Sequence, residues 1–130
     1  MSAIEWYCSE FQERTGIKCV LELDESMPKN TEIELALYRI FQEALTNIIR
    51  HAHASSLKVK LKKAKKTVNM CIEDNGIGIP KEKIRSIKSL GLIGIYERAR
   101  QCGGTVKFFS KKGICTKINI FVPLNSDLIK

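Results

Sequence analysis

One segment limits the possible folds more than any other: Cys71-Ile72-Glu73-Asp74-Asn75-Gly76-Ile77-Gly78-Ile79-Pro80. The residues from Val68 to Glu73 alternate as a strand does, and Asn-Gly after a strand is the usual two-residue hairpin turn. A hairpin must return as a second strand, yet Gly78, Pro80 and the charged stretch KEKIRSIK follow. The strand therefore runs into a loop. Two glycines spaced by one residue let the backbone leave the strand sharply and approach a ligand where a Cβ would collide. Asp74, at the strand end and shielded, would present a carboxylate to that ligand. An acceptor in that place suits the exocyclic amine of adenine and opposes the carbonyl oxygen that guanine has instead.

The remaining chain divides cleanly around this loop. Ile4, Tyr7, Cys8 and Phe11 follow helical spacing from Ala3 to about Arg14, and Thr15-Gly16 stops the run. Ile17 to Leu23 reads as a strand. A loop carrying Pro28 leads to Thr31, whose partner Glu34 makes a capping-box signature for a long helix ending near Ala54. Leu37, Ile40, Phe41, Ala44, Leu45 and Ile48 form its apolar stripe. Strands at about Leu57 to Lys62 and Val68 to Glu73 precede the Gly/Pro loop. After it come a short helix from about Gly94 to Gln101, closed by Gly103-Gly104, and strands Thr105 to Phe109 and Thr116 to Val122. Helices thus pack on one face of a mixed, mostly antiparallel sheet, an α+β two-layer sandwich. The 130 residues make one domain, with no repeat, low-complexity tract or linker to divide them.

The net charge of +8 raises the question of a nucleic-acid partner, and its location answers it. Lys58, Lys60 and Lys62 alternate with Leu57, Val59 and Leu61, the period of a half-buried strand with lysines on its wet face. Lys63, Lys65 and Lys66 fall in the turn that follows. No aromatic residues interleave with them, as a surface for stacking single strands requires, so no nucleic-acid partner is expected. The five cysteines, Cys8, Cys19, Cys71, Cys102 and Cys115, have no C-x-x-C spacing. They suit reduced thiols buried as small hydrophobes, not a disulfide framework or a zinc site. The N-terminus carries Glu5 and Glu10 and lacks a signal-peptide core, and the longest apolar or glycine run, LGLIGIY, is far short of a membrane span. A cytoplasmic domain without membrane contact is expected.

Two further elements carry polar groups in suggestive places. Glu43, Asn47 and Arg50 project from one face of the long helix, beside its apolar stripe. That spacing fits the rim of a cleft and a plain solvated face equally well. His51 and His53, two apart, diverge on a helix and cannot chelate one metal in the i, i+4 manner. Spacing gives His53 no partner. Ser89-Leu90-Gly91-Leu92-Ile93-Gly94 opens the helix IYERARQ. Glycines ahead of a helix N-terminus expose backbone N–H groups and the positive dipole end, a phosphate site in principle; a flexible lid with a helix cap reads as well.

Taken in order, FQEALTNIIRHA, IEDNGIGIP, GLIGIYERA and GICTKINIFVPL resemble the ATP-binding boxes of the GHKL superfamily. That superfamily includes sensor histidine kinases, type II topoisomerases, mismatch-repair ATPases and a heat-shock chaperone. The strings EALTN, RHA, GLxG, ERA and VPL look most like the catalytic domain of compact sensor kinases whose response regulators carry LuxR-type outputs. The resemblance runs from about Ile17 to Leu124 and implies a Bergerat-type sandwich with that segment as its ATP-binding core. It also implies roles. Asn47 matches the magnesium-binding asparagine, and Glu43 the acidic position that orients the metal's waters or the attacking group. Arg50 stands where a cation meets the phosphates, and His51 forms a wall of the nucleotide pocket. Asp74 matches the adenine-binding aspartate with Gly76 and Gly78 as its glycines, and Thr116 the threonine that bonds near the adenine. Gly91 and Gly94 match lid glycines near the phosphates. The chain departs from the pattern at Ser89, which replaces a lid glycine, at Cys115, which replaces the second glycine of a terminal G-x-G-T, and at Ile95, where methionine is common. The first two would stiffen the lid or narrow the pocket.

The resemblance thus implies a histidine protein kinase domain that binds ATP with Mg²⁺ and donates the γ-phosphate to a histidine on a separate dimerisation module, which in turn serves a response regulator. This chain has no room for such a module, since Met1-Ser2 leads almost directly into the first helix. It reads as a catalytic-domain fragment or a stand-alone module, not competent for autophosphorylation alone, whether or not a full-length kinase is membrane-anchored. A reading from another class is a self-contained serine kinase of anti-sigma type, or a module that uses ATP to control a partner.

Overall fold

The computed structural model describes residues 2–24, 31–47, 55–75, 93–111 and 115–124. In chain order they form α1 (Ser2–Thr15), β1 (Lys18–Leu23), α2 (Thr31–Asn47), β2 (Ser56–Lys63), β3 (Thr67–Asp74), α3 (Ile93–Gln101), β4 (Thr105–Lys111) and β5 (Cys115–Pro123). The five strands make one sheet in the order β1-β2-β3-β5-β4. β1 and β2 run parallel, and the other neighbours are antiparallel. Parallel neighbours need a crossover connection, and α2 lies in it.

Periodicity decides which side of each element is buried. On the sheet, Leu57, Val59 and Leu61 of β2, Val68, Met70 and Ile72 of β3, and Ile118, Ile120 and Val122 of β5 point to one face and are buried. Leu37, Ile40, Phe41, Ala44 and Leu45 of α2 and Ile95 and Ala99 of α3 close over that face from the helical layer. Each large aliphatic side chain so removed from water contributes about 1.5–3 kcal/mol, so the interlayer contact outweighs any single polar interaction on the surface. α1 adds Ile4, Tyr7, Cys8 and Phe11. Its Tyr7 ring meets Tyr38 and Phe41 edge-on, with centroids 6.1 and 5.9 Å apart.

The helix ends follow the glycines. Gly16 takes φ 77° and its N–H donates to the Gln12 carbonyl at 2.9 Å, ending α1 where Thr15-Gly16 predicts. At the end of α3, Gly103 takes φ 75°, its N–H donates to Arg100 O at 2.9 Å, and the Gly104 N–H donates to Ala99 O at 2.7 Å. These two bonds form a Schellman motif. Gly104 lacks a side chain for a different reason, because a Cβ there would lie 2.5 Å from the Phe121 carbonyl oxygen.

The opposite sheet face is wet, as the lysine alternation predicts. Lys58 and Lys60 both reach Glu22 across the parallel pair, at 3.3 and 3.9 Å, and such half-exposed pairs contribute at most about 1 kcal/mol. Cys8, Cys19, Cys71 and Cys102 are free thiols, and of these four only Cys8 is buried. Cys71 falls at a strand position that faces outward, between Lys60 and Asn119 in register, and Cys19 and Cys102 are half-buried at the core's margin. The expectation of buried thiols holds for Cys8 and is corrected for these three: strand and helix register, not hydrophobicity, fixes how deep a cysteine sits.

Candidate functional site

Asp74 continues the inward row Val68, Met70, Ile72, so the two-residue period of β3 carries a carboxylate into the interlayer space. It is 3% exposed and is the one buried charged side chain among the described residues. Burying a carboxylate is costly unless donors meet it. β3 is flanked on one side by β2 and on the other by β5. The Asn-Gly that follows it therefore does not turn a hairpin back onto β3. In register, Asp74 stands between Leu57 of β2 and Thr116 of β5, which brings two of the sequence-derived site positions side by side on neighbouring strands.

Asn75 holds this strand end in place. Its Oδ1 accepts from the backbone N–H groups of Ser55 and Ser56, at 3.1 and 2.9 Å, and its Nδ2 donates to Ser55 Oγ at 3.0 Å. One side chain thus ties the exit of β3 to the entry of β2, and with it the backbone from which Asp74 projects. In the sequence Asn75 stands out only as half of a turn dipeptide.

The second cluster joins α2 to α3. Arg98 Nε donates to Glu43 Oε1 at 2.7 Å. Gly94 lies one helical turn before Arg98, on the same face, and a Cβ there would sit 2.6 Å from Glu43 Oε2. The glycine makes room for the carboxylate and the arginine holds it, so two expected site residues, Glu43 and Gly94, do meet. Arg98 was missed. The available signal was the i, i+4 spacing of a glycine and a cation, which puts both on the helix face turned to a partner. Asn47 is the last residue of α2, one turn beyond Glu43. Arg50, His51, Gly76, Gly78 and Gly91 lie outside the described residues.

Residues 32–126 match the protein family described as "Histidine kinase-, DNA gyrase B-, and HSP90-like ATPase". The chain is 32% identical over 131 residues to an uncharacterized sensor-like histidine kinase of Chloroflexus aurantiacus, an alignment covering 95% of this chain and 22% of that protein. It is 38% identical over 96 residues to the signal transduction histidine-protein kinase/phosphatase DegS of Bacillus subtilis, covering 72% of this chain and 25% of DegS. The chain thus spans about a quarter of the length of these curated relatives. Among solved structures, the histidine kinase domain from the Erythrobacter litoralis EL346 blue-light activated histidine kinase superposes with a TM-score of 0.80 at 20% identity, over 96% of this chain and 61% of that one. At that identity the likeness is one of fold.

Proposed function

Because the chain belongs to the histidine kinase-, DNA gyrase B- and HSP90-like ATPase family, we propose that it is the ATP-binding catalytic domain of a sensor histidine kinase. It binds ATP with Mg²⁺ and offers the γ-phosphate to a histidine on a separate dimerisation module, from which a response regulator is phosphorylated. The whole of residues 1–130 acts as one unit, with the nucleotide core at about 17–124. The observation that carries this reading is Asp74, a carboxylate buried at the end of a central strand, where it accepts from the adenine amine. Thr116, its register neighbour, bonds near the same base, and Gly76 and Gly78 let the backbone pass close to it.

The other roles follow the helical layer. Asn47 holds Mg²⁺, a hard cation suited to an amide oxygen, and Arg50 faces the phosphates with His51 as a pocket wall. Glu43 orients the waters of the metal, its carboxylate kept in one attitude by Arg98. Gly91 and Gly94 belong to the lid beside the phosphates. ATP supplies the transferable phosphoryl group, and the protein supplies position and charge, which is most of what phosphoryl transfer requires. The named relatives are a sensor-like histidine kinase and a signal transduction histidine-protein kinase/phosphatase, which does not favour the serine-kinase alternative. Among the described residues no helix is long and apolar enough to cross a membrane, which is compatible with a cytoplasmic domain.

Calorimetry with ATP and GTP in the presence of Mg²⁺ tests the reading. ATP should bind with a Kd on the order of micromolar to millimolar, since ordering a lid opposes binding, and GTP at least about tenfold more weakly, a difference of about 1.4 kcal/mol. Equal affinity for the two nucleotides would remove the role given to Asp74.

A further inference from the structure

The face of the sheet turned away from the helices gathers positive charge. In register, Lys58 and Lys117 stand on either side of Glu73, and Lys60 and Lys107 on either side of Cys71 and Asn119. Lys62 follows beside Asn69, and Lys18 faces the same way on β1. Six lysines thus share this face with two carboxylates, Glu22 and Glu73, and Glu22 is divided between Lys58 at 3.3 Å and Lys60 at 3.9 Å. The three helices bury their apolar residues against the opposite face, so no described helix covers the lysines. Guarding an open edge is the usual reason for lysines on a strand, but β2 lies between β1 and β3 and has no edge to guard. Between the long side chains is a hollow of about 200 Å³, floored by the shorter Asn69, Cys71 and Asn119. We propose that this face is a docking surface for an acidic segment of another protein, with one carboxylate of that segment seated in the hollow among Lys60, Lys62 and Lys117.

The make-up of the face selects among anionic partners. A carboxylate entering the hollow meets ammonium groups, which form charge-assisted hydrogen bonds with it, and complementary charge around it steers the encounter. A nucleic-acid strand needs a continuous cationic track and successive rings for its bases. Here Glu22 and Glu73 interrupt the track, and the Phe121 ring lies under Lys107, 6.0 Å from the ammonium nitrogen. Among the described residues that leaves Phe109 as the one largely exposed ring on this face. An anionic membrane is flat and cannot fill a hollow. A second copy would bring the same sign of charge, in a chain whose net charge is already +8, and would be repelled. Asp74 points to the other side of the sheet, so the surface is separate from the proposed nucleotide site and does not rest on it.

Fluorescence anisotropy of a labelled glutamate peptide of about ten residues, titrated with the full chain, tests this. Binding should weaken as salt is raised from about 0.05 M to about 0.5 M. It should weaken at least about tenfold in Lys60→Glu/Lys117→Glu and by a smaller factor in Lys60→Gln/Lys117→Gln, which removes charge without adding repulsion. Lys60→Arg/Lys117→Arg should retain it. Arg14→Glu/Arg39→Glu, the same change of net charge at exposed positions of the helical layer, should leave it within about twofold, and urea midpoints check that each variant is folded. On adding the peptide, the amide resonances of Cys71 and Asn119 should shift. Equal losses in the sheet and helix charge-reversal variants, shifts confined to the helical layer, or tighter binding of an oligothymidylate or of phosphatidylserine vesicles than of the peptide would each overturn the proposal.

Discussion

In the proposed function Asp74 and Asn47 divide the nucleotide between its base and its metal, and substitution separates the two roles. Asp74→Asn exchanges a charged acceptor for a neutral amide of the same shape. It should weaken ATP and ADP alike by about tenfold, with or without Mg²⁺, since charge-assisted hydrogen bonds are roughly twice as strong as neutral ones. Asn47→Ala should weaken ATP mainly when Mg²⁺ is present. Calorimetry with and without a chelator checks both, and an Asn47→Ala defect that survives metal removal would end its assignment as a ligand. Asp74 was legible in the sequence because a two-residue period fixes the side to which a strand's last residue points. Asn75 was not, because its three hydrogen bonds go to Ser55 and Ser56, and no local pattern relates a strand's end to the start of another.

Between elements, the joint of α2 and α3 rests on Glu43, Arg98 and the space left by Gly94. A double-mutant cycle of Glu43→Gln and Arg98→Met, followed by urea denaturation, should give a coupling of about 0.5–1 kcal/mol. The figure is held down by solvent screening, since the Arg98 side chain is 36% exposed. Adding Gly94→Ala should abolish most of that coupling, because its Cβ would displace the carboxylate. If the coupling is unchanged in that background, the packing account of Gly94 fails. The elements themselves were readable because helix stripes and strand alternation are local: apart from the end of α2, whose expected course to Ala54 leaves the described residues after Asn47, each described boundary falls within about two residues of its expectation, the usual uncertainty of helix and strand ends. The joint between them was not readable, because Glu43 and Arg98 are 55 residues apart and each alone resembles an ordinary surface charge.

At the scale of the whole molecule, the 130-residue chain should bind ATP yet form no phosphohistidine by itself. Histidine attack needs an imidazole that reaches the γ-phosphate in line, and the sequence offers only His51 and His53. Both lie outside the described residues; on the helix expected from the sequence His51 would follow Asn47 by one turn, beside the proposed nucleotide and out of line with its γ-phosphate, and His53 would diverge from it. Incubation with labelled ATP and assay of acid-labile phosphate should show no stoichiometric labelling, and labelling of either histidine would contradict this account. The sheet order has a consequence for how the chain reaches this state. β2 with β3 and β4 with β5 close as hairpins, Lys63 pairing with Val68 and Lys111 with Cys115. The pairs of β1 with β2 and of β3 with β5 close across roughly forty residues each, and such closures carry the entropy that slows folding. β1, whose one sheet neighbour among the described residues is β2, gains its ladder only after β2 is in place. Pulsed hydrogen exchange during refolding should therefore protect the amides of the two hairpins first and those of β1 last, and early protection of β1 would mean that the parallel pair nucleates the sheet.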